Sequence, residues 1–226
     1  PECGLTLHQP TIQEISMIGE EQFFIGVQVL CVDKNMYTQG EIASLEMTNF
    51  QIFMMIMNEK TQRDKKTAVF QLLGLLFPGY NPMITPRALL LNKNGENSII
   101  DENNFEFLQA IFTQLFCLSA SAQDSFNPGN DAAKKIADKL MRARQRVAAQ
   151  KKAENGNGSV FAQYLSILTV GLESMSLSDL AHLTMYQLYD LVERYKLYVN
   201  WDLDIRQKLA GGKPDSSPDN WMKIIH

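Results

Sequence analysis

Apolar residues recur at three- and four-residue intervals along most of this chain, which is helical periodicity, and the pattern breaks clearly once. After a short alternating stretch from Leu5 to His8, Thr11 and Glu14 stand at capping-box spacing. They predict a helix that bends at Gly19 and resumes through Phe23, Phe24, Val27, Leu30 and Cys31. Asp33 to Gly40 is expected to be a loop. Thr48 or Asn49 caps a second helix from Phe50 to Met57, apolar nearly all round and therefore expected in the core. A charged connector from Glu59 to Lys66 leads to a third helix, Thr67 to Phe77, closed by Pro78 and Gly79. The period then changes. Ala88 to Leu91 and Asn97 to Ile100 flank Asn94-Gly95, and Asn-Gly between two apolar runs predicts a tight β-hairpin over about 87–100. Asp101 is the predicted cap of the next helix, Phe105 to Leu118.

Beyond a polar stretch containing Pro128 and Gly129, helical spacing returns. A long basic helix is predicted from Asp131 to Lys152, then one from Val160 to Leu172 capped by Ser159. A short one, begun by Ser176 and Ser178, follows through His182, and a long aromatic-rich one runs from Thr184 to Gly211. The fold class is mainly α. The expected layout is a helical lobe with one hairpin (1–121), a linker (122–130), and a helical lobe ending in a docked arm (131–226).

The last helix carries two apolar stripes. Met185, Leu188, Tyr189, Val192, Tyr195, Val199 and Leu203 form one; Leu191, Tyr198, Trp201, Ile205 and Leu209 form the other. Two stripes call for two neighbours. One is the helix's own lobe; the other is the first lobe or another chain. Asp190/Arg194, Asp202/Arg206 and Asp204/Lys208 stand four apart with the acid first, the favoured order on a helix. The terminus then places Trp221, Met222, Ile224 and Ile225 together, an apolar set that has to dock on something. Tyr198, Trp201, Ile205, Leu209, Trp221, Met222, Ile224 and Ile225 are therefore the candidate protein-interaction residues.

Charge adds a weaker hint. Residues 1–121 carry 13 acidic and 7 basic side chains, whereas 122–226 carry 12 and 14, an asymmetry that suits head-to-tail contact between copies. The basic helix is the source of the rival reading. Lys134, Lys135, Lys139, Arg142, Arg144, Arg146, Lys151 and Lys152 are candidate phosphate contacts for a nucleic-acid-binding regulatory or packaging protein. Yet they surround an apolar stripe (Ile136, Leu140, Ala143, Val147) and have no aromatic among them to stack on bases.

The chemistry-bearing residues form no catalytic set. His8, His182 and His226 have no carboxylate at triad or ligand spacing, and no nucleophile-elbow, zincin or P-loop pattern is present. Cys3 with His8 makes half a zinc knuckle at most. No enzyme activity, metal or cofactor is expected. Three cysteines without a framework suit a reducing compartment. No run is long enough to span a membrane, no membrane partner is expected, and no signal peptide is visible. The chain opens on Pro1 without Met, so a processed or trimmed start is expected. Eleven methionines, with Met54, Met55 and Met57 clustered, serve core filling or adaptable contact.

Several segments together carry a resemblance: HQPTIQEIS at 8–16, DENNFEFL at 101–108, FNPGN at 126–130 before the basic helix, LTMYQLYDL at 183–191, LAGGK at 209–213 and NWMKIIH at 220–226. In this order they resemble a family encoded among the tail genes of tailed bacteriophages and prophages of Gram-positive bacteria. The resemblance implies a tail-assembly protein, chaperone-like or retained in the virion. Its partners would be tape-measure or tube subunits and further copies of itself. It would act in the host cytoplasm during assembly, or in the virion. It transfers no active-site residues.

Overall fold

The computed structural model describes residues 5–34, 47–118, 159–172, 174–211 and 222. The predicted linker 122–130, the basic helix with its eight candidate phosphate contacts, and Trp221, Ile224 and Ile225 lie outside the described residues. Within them the chain forms α1 (Ile12–Ile18), α2 (Glu20–Leu30), α3 (Asn49–Asn58), α4 (Arg63–Leu76), β1 (Asn81–Ile84), β2 (Leu89–Lys93), β3 (Glu96–Ile100), α5 (Phe105–Leu115), α6 (Val160–Gly171), α7 (Leu177–Ala181) and α8 (Met185–Leu209). The fold is mainly α with one small antiparallel sheet of order β1-β2-β3.

Most helix starts follow from local side-chain chemistry. Thr11, Thr48, Ser176 and Thr184 each accept a hydrogen bond from the backbone N–H three residues on, and the residue there caps back. Gly19, at φ 89°, separates α1 from α2 as two helices instead of bending one. Other boundaries differ from expectation. α4 begins at Arg63, so half of the supposed connector is helix. α5 begins after Asn104, not Asp101. Asp101 instead accepts from Asn103 N in the preceding turn, and its own N–H donates to Asn104 Oδ1.

The hairpin forms around Asn94 (φ 53°) and Gly95 (φ 89°), both left-handed as a tight turn of this kind requires. The expected two-stranded hairpin is, however, part of a three-stranded sheet. β1 pairs Asn81 with Asn92 and Ile84 with Leu89. Counting pairs from the two-residue turn, Asn92 and Leu90 face their main-chain groups to β1, so Pro82 points its donor-free nitrogen to the outer edge. A four-residue strand holding a proline has no clear sequence signature, which is why it escapes the pattern. On the opposite edge, Asn104 Nδ2 donates to Ile99 O at 2.8 Å and covers part of β3.

One buried cluster takes side chains from nearly every element. Phe23, Phe53, Phe77, Phe105, Phe112 and Phe116 are almost fully enclosed, with Phe161, Leu168, Leu180, Met185, Leu188 and Val192 joining from α6, α7 and α8. Each such ring contributes about 1.5–3 kcal/mol by burial, and edge contacts such as Phe23–Phe116 at 5.4 Å add to it. α3 is as central as its sequence predicts: Phe50, Ile52, Phe53, Met54, Ile56 and Met57 are buried, while Met55 is exposed. α2 crosses α4 closely because Gly26 has no side chain; a Cβ there would lie 2.9 Å from Ala68 O.

Candidate protein-interaction surface

Among the described residues, three contacts beyond the shared core help fix the segment carrying the candidate contact residues to the rest of the molecule. At the first, Thr11 and Thr184 form an isolated antiparallel bridge, with Ile12 N donating to Leu183 O at 2.9 Å. Two capping boxes, Thr11/Glu14 and Thr184/Gln187, thus stand back to back. At the second, the Glu20 carboxylate accepts from Val160 N at 2.7 Å and from the Ser159 hydroxyl, capping α6 from the first turn of α2. At the third, Phe161 packs on Phe23 (6.2 Å) and stacks on Phe24 (5.5 Å).

α6 and α8 then pack against each other. Tyr164 meets Tyr189 edge-on at 5.7 Å, and Gly171 lies under Tyr195. Burial first, then the neighbouring Tyr164, Cys117 and Glu20, push the Tyr189 phenol up to about 12. α6 ends at Gly171, beside Tyr195, but α8 continues to Leu209. Its last buried residue is Val192. The first predicted stripe is accordingly covered only in part: Met185, Leu188 and Val192 are buried, Tyr189 and Tyr195 pack against the core, and Leu203 is 57% exposed. The reason is length, since α8 outruns the helix it packs on.

Of the second stripe, Leu191 packs against the core, and the other members occupy this outer end. Tyr198 is 45% exposed, its ring 6.3 Å from that of Trp201; Trp201 and Ile205 are half-buried, and Leu209 is 82% exposed. Arg206 Nε bonds Asp202 Oδ2 at 2.8 Å, and Arg194 reaches Asp190 at 3.9 Å, so two of the three anticipated acid-first pairs form ion pairs here. Met222, the candidate from the terminal group within the described residues, is exposed.

One exposed apolar face lies outside the candidate residues. α6 contains no Asp, Glu, Lys or Arg, yet only Phe161 and Leu168 are buried. Val160, Ile167 and Val170 lie on its outer side, Val170 at 84% exposure. The sign was available in the sequence: twelve helical residues without a charge, too many apolar positions for one stripe.

Elsewhere among the described residues, two free thiols lie partly buried. Burial pushes the Cys31 thiol up to about 12 against a hydrogen bond with Thr113, and burial with the Asp190 charge raises Cys117. His8 Nε2 sits 3.1 Å from both Glu14 oxygens. Among the described residues no group of three or more His, Cys, Asp or Glu is placed to hold a metal ion, and no helix is long and apolar enough to cross a membrane.

Residues 151–226 match the family described as the YomV second domain, YomV being a Bacillus phage-region protein. The matched third of the chain contains α6, α7 and α8 entire. No curated protein matches the chain, and no solved structure does. The carboxy-terminal segment is thus similar to a phage-associated domain, in agreement with the phage origin that the sequence motifs suggest.

Proposed function

We propose that this is a non-enzymatic bacteriophage protein that works in tail assembly, as a chaperone-like escort or as a part retained in the virion, through protein–protein contacts. The observation that carries the reading is the outer end of α8. A helix that extends past its own core, with Tyr198, Trp201, Ile205 and Leu209 along one side, suits a surface made to be covered. The uncharged outer face of α6 adds apolar area in the same phage-like segment. The partners proposed are tape-measure or tube subunits, met in the host cytoplasm while particles are built, and further copies of the chain.

Co-expression with the tail proteins of the same phage region tests this. A tagged full-length chain retains a tail protein, and Ile205→Glu/Leu209→Glu loses it while keeping its helix content. Failure to retain any tail protein, or retention of nucleic acid that weakens steeply with salt, overturns the reading. The composition of purified virions separates the escort from the retained component.

A further inference from the structure

The charges on the outer end of α8 are ordered so that the segment complements itself. Outward from Ile205 in either direction, the chain reads Asp204 against Arg206, Leu203 against Gln207, Asp202 against Lys208 and Trp201 against Leu209. Acid mirrors base, and the ends of the segment mirror as apolar on apolar. We propose that two copies of this protein pair through residues 201–209 of α8 as antiparallel helices about a two-fold axis at Ile205. This rests on the reading of the outer end of α8 as a contact surface, and names its occupant.

Helical geometry makes the pairing specific. At about 100° per residue, Trp201, Ile205 and Leu209 fall within about 40° of the Ile205 direction. Asp202 and Arg206 flank this seam on one side, Asp204 and Lys208 on the other. A two-fold axis perpendicular to antiparallel helices sets each flank against its own copy. Asp202 stands about 4.5 Å below the level of Ile205 and Arg206 about 1.5 Å above it, so each Asp202 faces the other copy's Arg206, about 3 Å away along the axis. By the same count each Asp204 faces the other copy's Lys208, and the one like-charge contact on each flank, Arg206 with Arg206 or Asp204 with Asp204 across the axis, is outnumbered by two opposite-charge contacts.

A parallel pair sets opposite flanks together instead, with two like-charge contacts on each flank, Asp202 beside Asp204 and Arg206 beside Lys208, against one opposite-charge contact, Asp204 beside Arg206. The charge order thus selects both the occupant and its direction. The Asp202–Arg206 ion pair at 2.8 Å within one copy already holds both groups on the flank that the pairing uses.

Sedimentation equilibrium of the full chain at low ionic strength tests the proposal, with circular dichroism to show that each variant stays helical. The wild type is expected to be a reversible dimer. D202K/D204K and R206D/K208D should each dimerise roughly tenfold or more weakly. An equal mixture of the two variants should recover association, as should the fourfold swap D202K/D204K/R206D/K208D. A wild type that stays monomeric at every concentration, or charge variants that associate as it does, overturns the pairing. So does a chain that dimerises only once residues 212–226 are deleted, since its own terminus then occupies the seam. If these results go against the dimer while the tagged chain still retains a tail protein, the pairing fails and the contact-surface reading stands.

Discussion

Gly171 and Tyr195 occupy one space. A Cβ built on Gly171 would lie 2.3 Å from the Tyr195 ring carbon bearing the hydroxyl, far inside contact distance. Glycine at 171 is therefore what lets the end of α6 close on α8, and it marks where α8 leaves its support. Gly171→Ala is expected to destabilise the fold by about 1–3 kcal/mol, as overpacking does. In combination with Tyr195→Leu the cost should shrink, because the two residues compete for the same volume. Urea unfolding of the single and double variants measures the coupling; additive effects would contradict it.

Glu20 is separated from Val160 by most of the chain, yet its carboxylate takes the first amide of α6 at 2.7 Å. Glu20→Ala removes a cap that local sequence supplies only through Ser159. The expected cost is about 0.5–2 kcal/mol. Hydrogen exchange localises it: the amides of Ser159 to Gln163 should exchange faster while those of α3 stay protected.

Gln109 is the one buried polar residue of the core among the described residues. Its Nε2 donates to Leu30 O at 3.0 Å and Val32 O at 2.9 Å, and its Oε1 accepts from Asn49 at 3.0 Å. It satisfies carbonyls at the end of α2 and joins α5 to α2 and α3. Gln109→Leu is expected to cost about 1–3 kcal/mol despite its greater hydrophobicity, because the carbonyls lose their donors. Thermal unfolding reads this directly; an unchanged or raised Tm would contradict it.

Acid should loosen the junction at Thr11. The Thr11 backbone N–H, at 2.7 Å, is the largest influence holding the Glu14 carboxyl below its ordinary range, with hydrogen bonds from His8 and the Thr11 hydroxyl acting the same way against the opposing effect of burial. A depressed folded-state value means that this stabilisation is present above the unfolded value, about 4.3, and is lost as pH falls through the folded one. Asp179, held low chiefly by Ser176, acts in the same direction. Glu14→Gln should flatten part of the loss of stability in acid, as seen in urea midpoints across that range.

Much of this fold is legible one turn at a time. The boxes at Thr11, Thr48, Ser176 and Thr184 form because each side chain reaches an amide three residues away, whatever surrounds it. Asn94-Gly95 makes its turn for the same local reason, a positive φ that few other pairs accept. The charge order around Ile205 is likewise written along a single helix.

What the linear pattern leaves open depends on groups far apart in the chain. β1 exists because β2 offers it an edge, and Pro82 fits because pairing turns its nitrogen outward. Two apolar stripes are plain on α8, but α6 stopping at Tyr195 sets which part of them is covered. The capping of α6 by Glu20 and the burial of Gln109 follow the same rule. Hydrogen bonds across a helical turn are specified by neighbours in sequence, whereas burial is a property of whatever the finished fold sets alongside.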